Sequence, residues 1–308
     1  RARGFDFTAL TDHDRFCRKA IGPLTWRVFT AWVDCYNDPG RYVVLPAVEF
    51  TGARPPGPGH KNIYFTDTTP DVLPDHTTGE LEGMLKQHPA LVIPHHVGFT
   101  GWDLEHHDPA VQPVWEMCSV HGVYEEHTPR SVFAPRSDFL LRGHTLRDAL
   151  EAGHVFGFCA GTDSHGLLYH HGVTPRRDPH RTGLTAVFGV PLTRRGVLDA
   201  LQMRQCYATT GAQILLAVTL DQVSMGGEWS AREGCAPTLR IWARGTSEIE
   251  SITIVQAARE RRIDVGEVAA HRAIELDVEP GVRDFVYVRV TQVDEDMAWS
   301  SPIFIGSV

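Results

Sequence analysis

Val155-Phe156-Gly157-Phe158-Cys159 is a short apolar run, and Gly161-Thr162-Asp163-Ser164-His165-Gly166 follows it almost at once. The run has the length of a buried strand, and the polar cluster stands at its C-terminal end. The same order recurs upstream. Phe5–Leu10 leads into Asp12-His13-Asp14, Tyr42–Val48 into Glu49, Ala90–Ile93 into His95-His96, and Val114–Met117 towards His121. Asn62–Phe65 and Leu184–Phe188 are further runs of this kind. Between them the pattern predicts helices over Trp26–Asn37, Gly79–Gln87, Thr145–Ala152 and Thr193–Arg204. Short buried strands alternating with helices predict a parallel α/β arrangement. Polar groups at the strands' C-terminal ends predict a β/α barrel with its site on that one face. His60 departs from the rule because it precedes its strand. It closes the Gly- and Pro-rich loop Gly52–Gly59, which can fold back over the same face.

From Gln213 the texture changes. Ile214–Leu220, Leu239–Ala243, Ile252–Val255, Ala273–Val278, Phe285–Thr291 and Pro302–Ile305 read as short strands separated by turn signals. Val286, Val288 and Val290 alternate with Tyr287 and Arg289, the period of a half-buried strand. The expectation is a barrel over residues 1–212 and a small immunoglobulin-like β-sandwich over 213–308, packed directly together.

Composition narrows the function. The 308 residues carry a net charge of −9, and only 3 of the 29 basic residues are Lys, which argues against phosphate neutralisation on nucleic acid. No apolar stretch approaches the ~18 residues of a membrane span. A soluble chain is the expectation, with the cytoplasm favoured but the compartment left open because the true N-terminus is read as missing. The six Cys form no CxxC pair, so neither a disulfide framework nor a Cys-based zinc ribbon is expected. GxGxxG, GxxxxGK[ST] and GxSxG are all missing, which removes the sequence signals for dinucleotide binding, P-loop phosphoryl transfer and a nucleophile-elbow hydrolase. His is the lopsided residue: of 17, only His271 lies beyond residue 211.

Dispersed His, Asp and Glu at strand ends point to divalent metal, which takes neutral imidazole and carboxylate ligands. Asp163 and His165 form a D-x-H pair whose side chains leave an extended segment on the same side. His13 sits in a similar cluster. Helix capping or turn formation is the competing use of both clusters. Glu49 ends an apolar strand, where a carboxylate needs a neutralising partner, either a metal or a buried Arg. Adjacent His95 and His96 leave a strand on opposite sides, so one is expected to face the site and the other to support or pack. His121 is a further ligand candidate, and Glu116 is expected to orient a neighbour. His76, His88, His127, His144, His154, His180 and His271 are assigned to surface or capping positions, and His106-His107 and His170-His171 to ordinary loops.

The order TDHD, then Glu49 with GHKNIYF, then IPHH, SVHG and GTDSH resembles the polymerase-and-histidinol-phosphatase (PHP) superfamily of metal-dependent hydrolases. Gly183–Phe188, Ala200-Leu201, Tyr207–Gly211, Tyr287–Thr291 and Ala298–Pro302 are similar to a branch containing carbaryl (carbamate) hydrolases and a C-terminal β-sandwich. The resemblance implies a distorted seven-stranded (β/α)7 barrel. It also implies two or three divalent ions, usually zinc, manganese or iron, on His13, Glu49, His60, the His95/His96 pair, His121, Asp163 and His165. The family opens with a strand ending in HxH that is not in this sequence, so the chain is read as a fragment lacking its first strand.

The expectation is therefore a metal-dependent hydrolase acting on a small molecule, with no nucleic-acid or membrane partner. A metal-activated hydroxide would attack a carbamate, ester or amide carbonyl. Glu49 would bridge ions, Asp163 would orient the hydroxide, and a His of the His95/His96 pair would protonate the leaving group. Phosphoester hydrolysis at the same site is the alternative, with Arg181 as the candidate substrate contact. A noncatalytic scaffold carrying a binding sandwich is the third reading.

Overall fold

The computed structural model describes residues 4–16, 19–20, 22–54, 57–68, 85, 90–102, 107–126, 141–164, 182–230, 236–279 and 282–306. The front part contains strands β1 (Phe7–Leu10), β2 (Val43–Thr51), β3 (His60–Phe65), β4 (Ala90–Pro94), β5 (Val114–Ser119), β6 (Gly157–Ala160), β7 (Leu184–Val187) and β8 (Cys206–Thr209). Helices among the described residues are α1 (Pro23–Tyr36), α2 (Val97–Thr100), α3 (Leu146–Glu151) and α4 (Arg194–Gln202). The helix expected at 79–87 lies outside the described residues, Leu85 apart. No helix of the described residues is long and apolar enough to cross a membrane.

This architecture corrects the expected fold. The chain is mostly β, arranged in curled sheets, and no (β/α)7 barrel is evident among the described residues. The ladders β1–β2 and β5–β6 are parallel, but β2–β3, β3–β4 and β7–β8 are antiparallel. Loop length explains the first of these antiparallel pairs. Gly52–Gly59 is shorter than the dozen or so residues a parallel crossover takes, so β3 must return alongside β2 as a hairpin partner. An apolar run fits a strand of either direction, and the pattern of residues alone does not report which.

Two apolar layers hold β2 in place. Val43 and Leu45 pack with Leu91, Ile93 and the α4 residues Val197, Leu198 and Leu201. Val48 and Phe50 pack with Trp26 of α1, Ile63 and Phe65. Pro at the first turn starts α1, where its missing N–H is no loss. Thr193 caps α4 by accepting from the Gly196 N–H at 3.0 Å. Every residue of β2 from Val43 to Phe50 is buried, as in a strand covered on both faces. Glu49 is thus a carboxylate in an otherwise apolar strand.

Beyond β8 run β9 (Leu215–Leu220), the long hairpin β10 (Thr238–Gln256) and β11 (Arg259–Glu275), then β12 (Asp284–Gln292) and β13 (Met297–Ser300). Leu239, Ile241 and Ala243 are buried, while Trp242 between them and Arg244 just beyond are exposed, so β10 alternates as a half-buried strand does. The ten-stranded sheet does not stop at residue 212: β8 pairs with β13 through Tyr207↔Ser300, Ala208↔Trp299 and Thr209↔Ala298. The two parts of the chain share one hydrogen-bonded ladder.

Candidate metal centre

Backbone pairing brings the expected ligands together. An isolated parallel bridge joins His13 to Glu49, with the Asp14 N–H donating to the Glu49 carbonyl at 2.8 Å. The β2–β3 hairpin places His60 opposite Thr51. At the end of β4, His95 donates its backbone N–H to the His60 carbonyl at 3.1 Å. Gly59 has φ +67° and lies against the Gly101 carbonyl, where a Cβ would stand 2.2 Å from that oxygen, so only glycine fits this crossing. The Val120 N–H donates to the Thr162 carbonyl at 3.2 Å, which holds the His121 turn beside the Asp163 loop.

The distances are those of ligands around ions. His60 Nδ1 lies 2.6 Å from Glu49 Oε1, and His13 Nδ1 3.6 Å from Glu49 Oε2. His96 Nε2 and His95 Nε2 lie 3.6 Å and 3.8 Å from Glu49 Oε1. Asp163 Oδ2 is 3.5 Å from His95 Nε2 and 3.2 Å from His121 Nε2. Two donors bound at about 2.1 Å to one tetrahedral ion sit roughly 3–3.5 Å apart, near the separations most of these pairs show. Three donor groups result: His13, Glu49 and His60; Glu49, His95 and His96; His96, His121 and Asp163. They overlap at Glu49 and at His96. The donor set of imidazoles and carboxylates suits zinc, manganese or iron.

The far sides of the rings are tied down. His95 Nδ1 lies 2.8 Å from Glu116 Oε2, and the His96 backbone N–H donates to Glu116 Oε1 at 3.2 Å. His96 Nδ1 lies 3.2 Å from Thr100 Oγ1, and the same hydroxyl accepts the His60 N–H at 3.1 Å. Such outer partners fix tautomer and ring orientation. His13 differs: its Nδ1, the nitrogen that faces Glu49, is also the one that lies 2.9 Å from Thr51 Oγ1. Glu116 takes the orienting place expected of it, whereas Thr51 and Thr100 carry no signal in the sequence. The expected split of the His95/His96 pair does not occur: both Nε2 atoms face Glu49. His96 has φ +31°, which breaks the strand's alternation and turns its ring to the same side. Asp163 has φ +50°, so two of the five non-glycine residues with positive φ among the described residues belong to this site, as in strained functional positions. His165 and Arg181 lie outside the described residues. His144 and His154, expected at surface or capping positions, pack around Trp102 and Trp115, as does His107, which lies in a loop as expected and whose Nδ1 is 2.9 Å from His154 Nδ1.

Burial sharpens the electrostatics. Burial alone would strip the proton from His95, but Glu116, Glu49 and Asp163 hold its pKa well above the ordinary histidine value. For Glu49, burial is outweighed by the His95 charge and by bonds to His60 and His96, so it stays well below the usual carboxylate range. Asp163 is likewise held low, against burial, by His95 and His121. Burial and the His95 charge bring His96 down to about 3, leaving it neutral. Burial pushes the Cys159 thiol well up, so it is no thiolate nucleophile. In the metal-free protein His95 therefore carries a proton that must leave before Nε2 can ligate. Metal uptake is expected to release a proton from His95 and none from His96, with apparent affinity rising about tenfold per pH unit below the His95 pKa. Calorimetry in two buffers of different ionisation enthalpy reads this directly. A binding heat independent of buffer would contradict it.

A cavity of about 1630 Å³ opens on the centre, lined by Glu49, His95, Glu116 and Asp163 together with β1, β7 and the segment Ala212–Leu215. Its described lining carries five carboxylates, those of Asp6, Asp12, Glu49, Glu116 and Asp163, and no Lys or Arg.

No protein-family model and no solved structure matches this chain. An uncharacterized protein of Chlamydia pneumoniae is 25% identical over 339 residues, covering 98% of this chain and 52% of its own length. An uncharacterized protein of Chlamydia trachomatis serovar D is 27% identical over 319 residues, covering 92% of this chain and 50% of its own. One from Chlamydia muridarum is 26% identical over 321 residues. The chain spans about half the length of the curated relatives it matches.

Proposed function

We propose that this chain is a metal-dependent hydrolase of small neutral carbonyl compounds, carbamates, esters or amides. The observation that carries it is the overlap of three donor groups at Glu49 and His96, with the ring nitrogens opposite oriented by Glu116 and Thr100. The order of these residues along the chain supports relating the site to the PHP superfamily. Two or three divalent ions would be held by His13, Glu49, His60, His95, His96, His121 and Asp163. When bound, they supply Lewis acidity and lower the pKa of water. Glu49 concentrates negative charge between two donor groups. Asp163 Oδ2, facing both His95 and His121, would orient the attacking water and accept its proton. The described lining of the cavity offers no Lys or Arg to clamp the nonbridging oxygens of a phosphate dianion, which favours a neutral substrate.

One observation favours phosphoester hydrolysis as the second reading. The Arg54 guanidinium stands 4.5 Å from the centre of the Phe99 ring, and that ring packs on His96 and His121. The test is a side-by-side assay of the metal-loaded protein. An aryl methylcarbamate and p-nitrophenyl acetate are expected to turn over faster than p-nitrophenyl phosphate and its bis-ester. A preference for the phosphates, abolished by chelation, would replace the first reading with the second.

A further inference from the structure

We infer that Asn62 is a substrate-recognition group, a carboxamide that reads the N–H/C=O edge of a carbamate, amide or urea beside the metal centre. This rests on the hydrolase reading above and names the substrate class of the same cavity. Along β3, His60, Asn62 and Tyr64 alternate with Lys61, Ile63 and Phe65, so the three polar residues share one face. Asn62 stands directly opposite Glu49 in the β2–β3 ladder, where Cβ atoms of facing residues lie about 5 Å apart. Both residues line the cavity, as do Tyr64 and His95.

Asn62 is 5% exposed, and its carboxamide oxygen has no hydrogen-bond partner among the described residues. A buried acceptor without a partner is a cost that native structures rarely carry without a reason. Packing does not require it, since leucine has similar size and would bring no polar atom. The carboxamide presents a donor and an acceptor side by side, the complement of a planar N–H/C=O group. Which of its terminal atoms is oxygen does not matter here, because a flip exchanges only the order of the two contacts. The charge around it selects further. In the metal-free protein Glu49, Glu116 and Asp163 repel an anion, whereas a neutral amide-type group brings no charge to oppose them.

The test uses 1-methyl-3-phenylurea, which has this edge and resists hydrolysis, titrated calorimetrically into the protein with and without zinc. Asn62→Leu is expected to bind the urea about tenfold more weakly, the worth of a hydrogen bond or so. It should keep its zinc content and show an unchanged or higher melting temperature, because an unsatisfied buried group has been removed. Asn62→Ser, too short to reach, should lose affinity in the same way if the leucine variant fails to fold. Urea binding unaffected by either substitution, or no binding by the unaltered protein, overturns the inference while leaving the metal hydrolase intact. A joint fall of melting temperature and zinc content assigns Asn62 to structure and also overturns it. Asn62-dependent urea binding by a protein that takes up no zinc upholds the recognition site and removes the hydrolase.

Discussion

Replacing Glu49 by alanine is expected to bring bound metal below one equivalent and to abolish hydrolysis. Glu49 belongs to two of the three donor groups, and four histidines lie within 4 Å of its oxygens: His13 at 3.6 Å, His60 at 2.6 Å, His95 at 3.8 Å and His96 at 3.6 Å. Removing it takes away negative charge that two ions would share from a residue only 3% exposed, where water is a poor replacement. Loss of an outer partner of a ligand typically costs about 10–100-fold in affinity or activity, so loss of a shared ligand should exceed that. Glu49→Gln separates charge from shape: it keeps volume and one acceptor, yet it should lose metal nearly as fully. Elemental analysis beside a hydrolysis assay reads both variants. A glutamine variant with full metal and full rate would mean that Glu49 is a structural partner of the histidines rather than a ligand.

The secondary elements were legible because their signals are local. Each apolar run of the front part forms a strand, and α1, α3 and α4 fall within the predicted spans, Pro23, Leu24 and Thr25 of α1 apart. Strand direction was not legible, because a run such as Asn62–Phe65 reads alike in either sense and the eight-residue limit of Gly52–Gly59 decides it. Candidate ligands were legible where a polar residue ends an apolar run, as Glu49 and His95 do. The expected split of the His95/His96 pair failed because strand alternation assumes extended backbone, and the positive φ of His96 removes that premise. Thr100 touches His60 and His96 only after the chain has crossed between β3 and α2, a contact no spacing announces. Asn62 is the reverse case. Its position opposite Glu49 follows from the hairpin register, which is knowable once antiparallel pairing is known and hidden while a parallel barrel is assumed.

Glu125→Ala is expected to destabilise the folded chain by about 3–5 kcal/mol, the cost of leaving a buried charge without its partner. Glu125 lies in the front part at 4% exposure, and its partners come from β12 and β13. The Arg289 guanidinium donates to Oε2 at 2.6 Å, Trp299 Nε1 donates to the same oxygen at 2.9 Å, and the Tyr287 hydroxyl donates to Oε1 at 2.8 Å. With the carboxylate gone, Arg289, itself 8% exposed, keeps Glu260 at 3.6 Å, and two buried donors lose their acceptor. Replacing both members, Glu125→Leu with Arg289→Met, should recover part of the loss, because the uncompensated charge disappears while Tyr287 and Trp299 still lack their acceptor. Urea unfolding followed by tryptophan fluorescence measures both, with a shifted midpoint at constant slope marking a stability change. Because β8 and β13 already join the two parts through the sheet, a loss under about 1 kcal/mol in Glu125→Ala would mean that the ladder alone holds them and that the buried ion pair is dispensable.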